Sequence, residues 1–481
     1  VHPLDLSIIV AYLAAIIFVG FRVSRRVHDA HDYFLAGRSL TWVIIGLSII
    51  GTNVSANGYV GASGGAYNSG IAQANFEWIG AIPAMILASL VFIPLYWRSG
   101  VYSIPEYLGL RYNQPVRVVA AAIASIFAIF AIGVSLWAIA LTLESYLAWP
   151  IWVGIVVTGT VVGLYSISGG LAAVAFTDAL QVIIMFLGGV AIVAIGISDA
   201  GGAVAFGSTL VQENPTHLQA YLPANDPDFP WPGVILGLAI VLSPAYWCGG
   251  QAILQRTLGA RSQWDASASM MFAAFAKTLV PLLIVFPGLL ALVMHADIEY
   301  PDMALPWVVK NVLPPGLSGL MFVAIIAALQ SSIDSSINST ALMITRDIRG
   351  VLSQRSDPQT DLTIGRWLTL VILLAGMGFA PFIGELGGIY VFIQSLLSLF
   401  QGPMLALLVL GAFTRHVTPT AGLITLVSGI AIAGVLMAGG MNMLYVAFST
   451  FCYAMVALWA LSYRTAPLSS DALDQLVYGR G

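Results

Sequence analysis

The feature that most constrains this chain is the return, from one end of the sequence to the other, of apolar stretches about 20 residues long, enough to cross roughly 30 Å of hydrocarbon. Of 481 residues, 59% are hydrophobic and only 8% are Asp, Glu, Lys or Arg, against about a quarter charged in a water-soluble domain. Too few charges remain to coat a soluble surface, and the mean hydropathy of +0.92 agrees. Lipid is therefore the solvent for most of the chain. Backbone groups in lipid must be satisfied internally, and stretches of this length satisfy them as helices, so the expected class is an all-α membrane protein. The net charge of -4 gives no sign of a nucleic-acid partner. Cys248 and Cys452 lie far apart in apolar stretches and read as packing residues. The chain opens Val1-His2-Pro3, without a basic region or a small-residue cleavage site, so the first apolar segment is expected to stay in the membrane.

Breaks at polar or Gly/Pro turns predict thirteen spans, the first seven near 4–24, 41–66, 75–97, 116–146, 150–167, 174–199 and 232–255. Six more follow near 265–295, 313–345, 364–383, 387–412, 418–438 and 442–463. With strict alternation, one set of ends collects Arg22, Arg25, Arg26, Arg38, Arg98, Arg111, Arg117, Arg256, Arg261, Arg346, Arg349, Arg355, Arg366, Arg415, Arg464 and Arg480, and the other collects Lys310 alone. Positive charge marks the cytoplasmic side. The expectation is a multi-pass protein of the bacterial inner membrane, with its N-terminus outside and its C-terminus in the cytoplasm.

Two spans carry irregularities at mid-membrane depth. The second contains Gly51-Thr52-Asn53-Val54-Ser55-Ala56-Asn57-Gly58, and the seventh contains Ser243-Pro244-Ala245-Tyr246-Trp247-Cys248-Gly249-Gly250. Carbonyls freed at such breaks must line a cavity or bind something, although either segment alone also suits a packing kink. The two lie five spans apart. That spacing predicts inverted five-helix repeats with broken first helices, residues 41–199 and 232–412, inside a single transmembrane domain covering 1–481, with two peripheral helices at 418–463.

Buried polar residues in these spans suggest two kinds of site. In the ninth span Ala328, Ser331, Ser332, Asp334 and Ser335 share one helix face, and Asp178 lies in the sixth. Hydroxyls, carbonyls and carboxylates form an all-oxygen set suited to a hard cation and offer nothing to a soft metal, while back-bonding to the helix is the commoner use of a lone serine. Glu77 and Lys277 are costly alone in lipid, so they are expected to pair, contact a solute, or both. Gln394 and Tyr246 add neutral hydrogen-bonding groups, with Phe76, Trp78, Trp247, Tyr390 and Phe392 as apolar surface around them. No Arg is expected deep in any span, which favours a neutral over an anionic solute.

At these residues the chain resembles the solute:sodium symporter family, and within it the bacterial sodium/galactose and animal sodium/glucose cotransporters. The resemblance is carried by Asp32-Tyr33-Phe34-Leu35-Ala36-Gly37-Arg38, Tyr102-Ser103-Ile104-Pro105-Glu106-Tyr107, Tyr165-Ser166-Ile167-Ser168-Gly169-Gly170-Leu171, Gln255-Arg256-Thr257-Leu258 and the run from Ser331 to Ser339. It implies a LeuT-like fold and sodium-coupled import of a small polar solute, in particular a monosaccharide such as glucose or galactose. It also implies a principal sodium site from the carbonyls of Gly51, Val54 and Ala328 and the hydroxyls of Ser331 and Ser332. Asp178, Asp334 and Ser335 would hold a second sodium; alternatively Asp334, which stands where some members have serine, keeps a proton. Glu77, Lys277 and Gln394 match solute-pocket positions and Tyr246 an inner gate; Asn53 and Ser243 complete the expected pocket. Gly58, Ala131 and Ser243 replace amides of the galactose carrier, which leaves a polyol, sialic acid or another small metabolite open. Rivals of another class are a nutrient sensor and an intramembrane enzyme; no obligate protein partner is expected.

Overall fold

The computed structural model describes residues 2–24, 29–54, 57–353, 358–385, 389–469 and 473–478. Arg25, Arg26, Ser55, Ala56, Arg355 and Arg480 lie outside the described residues, as do the side chains of Arg22, Tyr390 and 165–170. Among the described residues the chain is helical, with two isolated bridges, Leu40 to Ala260 and Leu222 to Pro230, in place of any sheet. In chain order the principal helices are α1 (Pro3–Ser24), α2 (Trp42–Asn53), α3 (Ala62–Ser69), α4 (Gln114–Leu147), α5 (Ile151–Asp199), α6 (Ser243–Gly249) and α7 (Gln251–Leu258). They continue as α8 (Gln263–Lys277), α9 (Leu317–Leu342), α10 (Pro358–Phe379), α11 (Ile389–Phe413), α12 (Pro419–Ala438) and α13 (Met443–Ser462).

Both expected breaks are present. α2 ends where Val54 leaves the helical region at φ -77, ψ 64, and helical structure resumes at Asn57. Gly250, extended at φ -73, ψ 108, separates α6 from α7. A third discontinuity, absent from the sequence reading, is the 52° bend between Gln263–Lys277 and Val280–Val293, which places Lys277 at the corner.

The fifth and sixth expected spans are helical throughout α5, 49 residues that would reach about 73 Å if straight. They cannot run straight. Val161 packs on the cluster of Tyr12, Val323 and Ala327, while Gln181 donates to the same Tyr12 hydroxyl at 3.0 Å. Twenty residues of straight helix would hold these two about 30 Å apart. The apolar stretches Ile151–Leu164 and Leu171–Asp199 therefore do not share one straight axis.

α9 occupies the centre: 89% of its apolar stretch is buried within the protein, against 33% for each of α12 and α13. Its start is capped by Asp5 of α1, whose Oδ1 accepts from Gly316 N at 2.7 Å and Gly319 N at 2.8 Å; a carboxylate also suits the positive end of the helix dipole. Close approach of α2 to α5 rests on Gly51, where an added Cβ would come within 2.9 Å of Val182. Small residues at such crossings replace the hydrophobic drive that lipid removes.

Candidate ion and solute site

The end of α2 leaves its last carbonyls without helical donors, and α9 crosses it there. Ser332 Oγ spans the crossing, donating to Thr52 O at 3.1 Å and to Ala328 O of its own helix at 3.2 Å. Ser331 is fully buried, its hydroxyl beside the Asp178 carboxylate. Gly51, Val54, Ala328, Ser331 and Ser332 are all buried at this junction. The structure thus brings the five expected principal-site residues to one helix crossing, where carbonyl and hydroxyl oxygens are the available ligands.

Asp178 stands beside it, fully buried on α5. Its Oδ2 accepts from Ser48 Oγ at 2.5 Å and from Arg256 at 3.0 Å, with Thr52 Oγ1 at 3.5 Å. Ser335 Oγ donates to Ser331 O at 2.6 Å and lies 3.0 Å from Thr52 Oγ1. Asp334 is buried on the same helix.

Arg256 is a site residue that the sequence reading missed: expected at a cytoplasmic end, it is 1% exposed and reaches from α7 to Asp178. Its Nε also donates to Ser48 Oγ at 2.6 Å, and further nitrogens contact Ser335 Oγ and Ala252 O. A buried carboxylate demands a cation nearby, and that demand was the signal in the sequence. α7 hides the answer because its Arg sits at the end of an amphipathic half-helix.

The solute-pocket residues also converge. A cavity of about 230 Å³ is lined by all six expected residues, Asn53, Glu77, Ser243, Tyr246, Lys277 and Gln394. Lys277 Nζ pairs with the Glu77 carboxylate and contacts Asn53 Oδ1; Asn53 Nδ2 in turn donates to the Tyr246 hydroxyl at 3.5 Å. The ammonium lies 5.9 Å from the Trp247 ring centroid. Among the described residues lining the cavity, Glu77 and Lys277 are the charged ones, so the pair neutralises itself. Phe76 and Trp247 line the cavity as expected, whereas Trp78 is 46% exposed and Phe392 stacks on Phe379 away from it. Thr52 and Ser332 of the ion junction form part of the same wall.

A helix junction rich in carbonyl and hydroxyl oxygens thus adjoins a cavity that holds a few polar groups in a mainly apolar wall, the arrangement expected of a solute carrier. The sodium:solute symporter family profile matches residues 33–429, and the chain belongs to that family. It is 34% identical over 459 residues to the sodium/glucose cotransporter of Vibrio parahaemolyticus, covering 89% of this chain and 84% of that one. To the human sodium/myo-inositol cotransporter it is 30% identical, over 86% of this chain and 64% of the other. Among solved structures, a sodium-coupled sialic acid symporter in its outward-open state superposes with a TM-score of 0.88 at 22% identity, covering 97% of this chain and 99% of that one. The fold is thus LeuT-like and the chain is a multi-pass, sodium-coupled membrane transporter, not an enzyme.

Proposed function

We propose that this symporter imports a small, neutral, hydroxylated solute with sodium: a hexose such as glucose or galactose, or a cyclic polyol. One observation carries the reading. Ser332 lines the cavity that holds Glu77, Lys277 and Gln394 and bonds across to Thr52 O, so cation and solute would share a wall. The self-neutralised Glu77–Lys277 pair leaves no spare charge for an ionic solute, while solute hydroxyls would exchange into the hydrogen-bond network that joins Glu77, Lys277, Asn53 and Tyr246. The sugar and polyol named for the relatives agree with this chemistry.

Sodium at the junction of α2 and α9 would replace the Ser332 hydrogen bond to Thr52 O with coordination by the carbonyls of Gly51, Val54 and Ala328 and the hydroxyls of Ser331 and Ser332. That ties the first repeat (41–199) to the second (232–412) and favours the outward-open state. Closure then passes the solute by Tyr246, and loss of sodium to the cytoplasm releases both. With the N-terminus outside an inner membrane, each sodium entering contributes about 2.3 kcal/mol per 100 mV. A second sodium would be held beside Asp178, Asp334 and Ser335, where carboxylate and hydroxyl oxygens of α5 and α9 meet.

Uptake of labelled glucose, galactose and myo-inositol into proteoliposomes tests the function. Accumulation driven by an inward sodium gradient is expected, and equal uptake in potassium with a proton gradient would refute it.

A further inference from the structure

The cavity continues well beyond the Glu77–Lys277 pair, along two facing helix stripes. On α11, Gln394, Leu397, Gln401 and Met404 line it; on α9 and the turn after it, Ser332, Ser336, Ser339 and Met343 do. Spacings of three, four and seven residues keep each stripe on one face. Each stripe thus runs from the ion and solute site about 15 Å, some three helical turns, towards the arginine-bearing face. Phe127 and Phe400, with ring centroids 5.5 Å apart, form a third wall.

Gln401 is the odd member of this leg. Its side chain is buried, 3% exposed, and its Oε1 has no hydrogen-bond partner among the described residues. An unpaired buried acceptor is destabilising, and a packing position would be filled more stably by Leu. Around it are hydroxyls, thioethers and two aromatic rings, with no charge. An amide and hydroxyls beside aromatic faces are what a sugar or cyclic polyol requires, polar groups for its hydroxyls and flat apolar surface for its C–H faces.

We propose that Gln401, with Ser336, Ser339 and the Phe127–Phe400 pair, forms a second, weaker subsite for the neutral hydroxylated solute, occupied on the way out after Tyr246 has been passed. The subsite rests on the neutral-solute reading above. It gives the departing solute partners for its hydroxyls, so that it does not leave the Glu77–Lys277 pocket directly into an apolar passage.

A cysteine reporter at Ala124, which lines the same cavity, in a Cys248→Ala/Cys452→Ala background tests this. A methanethiosulfonate reagent labels it while D-glucose, D-galactose and myo-inositol are each titrated as protectants. In a Glu77→Gln/Gln394→Ala background, with the upper pocket disabled, protection is expected to persist at about tenfold higher concentration. Adding Gln401→Leu is expected to abolish that protection and Gln401→Asn to keep part of it. Loss of all protection in the double variant, or protection indifferent to Gln401→Leu, means that water alone fills the leg, and overturns the subsite. Parallel sodium-driven uptake by the parent separates the two claims: if none of the three solutes is taken up, the neutral-solute reading itself fails and the subsite falls with it.

Discussion

Ser332 does two tasks with one hydroxyl. It holds α2 to α9 through Thr52 O at 3.1 Å, and it stands on the cavity wall as a candidate sodium ligand. Ser332→Ala keeps the helix and removes one oxygen. The expected result is a rise of about tenfold in the sodium concentration for half-maximal uptake, the size of a charge-assisted contact worth about 1.5–3 kcal/mol; an unchanged sodium dependence removes the residue from the site. Arg256 is the other residue on which much depends. Arg256→Gln strands a fully buried Asp178, and breaking one side of a buried pair costs about 3–5 kcal/mol. Thermal unfolding in detergent should show a large loss of stability in Arg256→Gln and partial recovery in Arg256→Gln/Asp178→Asn. Additive losses in the double variant would show that the pair does not act as a unit.

Among the elements, the two broken helices do different work from the continuous ones, since their breaks end beside the cavity. An added Cβ on Gly250 would lie 2.4 Å from Tyr246 O, so Gly250→Ala forces the α6–α7 junction apart at the expected gate. Uptake should fall about tenfold or more at normal membrane expression, and wild-type uptake would show that the junction tolerates the shift. The start of α11 is held by Asp302, in the connection between the eighth and ninth expected spans, whose Oδ2 accepts from Ile389 N at 3.3 Å. Burial raises the Asp302 carboxyl to about 6, against the opposing effect of that hydrogen bond. With the folded-state pKa above its unfolded value, the folded protein keeps a proton that the unfolded chain has lost. This contribution is complete below about pH 4 and is lost as pH rises through about 6. Asp302→Asn should flatten the melting temperature between pH 4 and 7 and raise it by about 1–2 °C at pH 7; a parallel pH profile in parent and variant would contradict the assignment.

At the scale of the whole molecule the open quantity is how many sodium ions accompany each solute. Asp178 is paired with Arg256 and Asp334 lies buried on α9, so Asp334 is the acid whose removal tests for a second ion. Reversal potentials in proteoliposomes should report two sodium ions per solute for the parent and one for Asp334→Asn. A ratio of one in both supports the protonated acid.

Much of this architecture was legible in the chain itself, because lipid leaves few alternatives. Apolar length determined the helices, Gly and Pro at mid-depth marked both breaks, and the cost of buried charge singled out Glu77, Lys277, Asp178 and Asp334. Tertiary structure alone decided the partners. Arg256 looked like a cytoplasmic end in one dimension, and only the crossing of α7 with α2, α5 and α9 puts its guanidinium on Asp178. Trp78 faces outward and Gln401 inward for the same reason: helical periodicity tells which residues share a face, but the neighbours each face meets depend on how remote helices cross. In a bilayer that choice rests on close packing and hydrogen bonds between residues hundreds of positions apart, as when Ser332 meets Thr52, rather than on any local pattern.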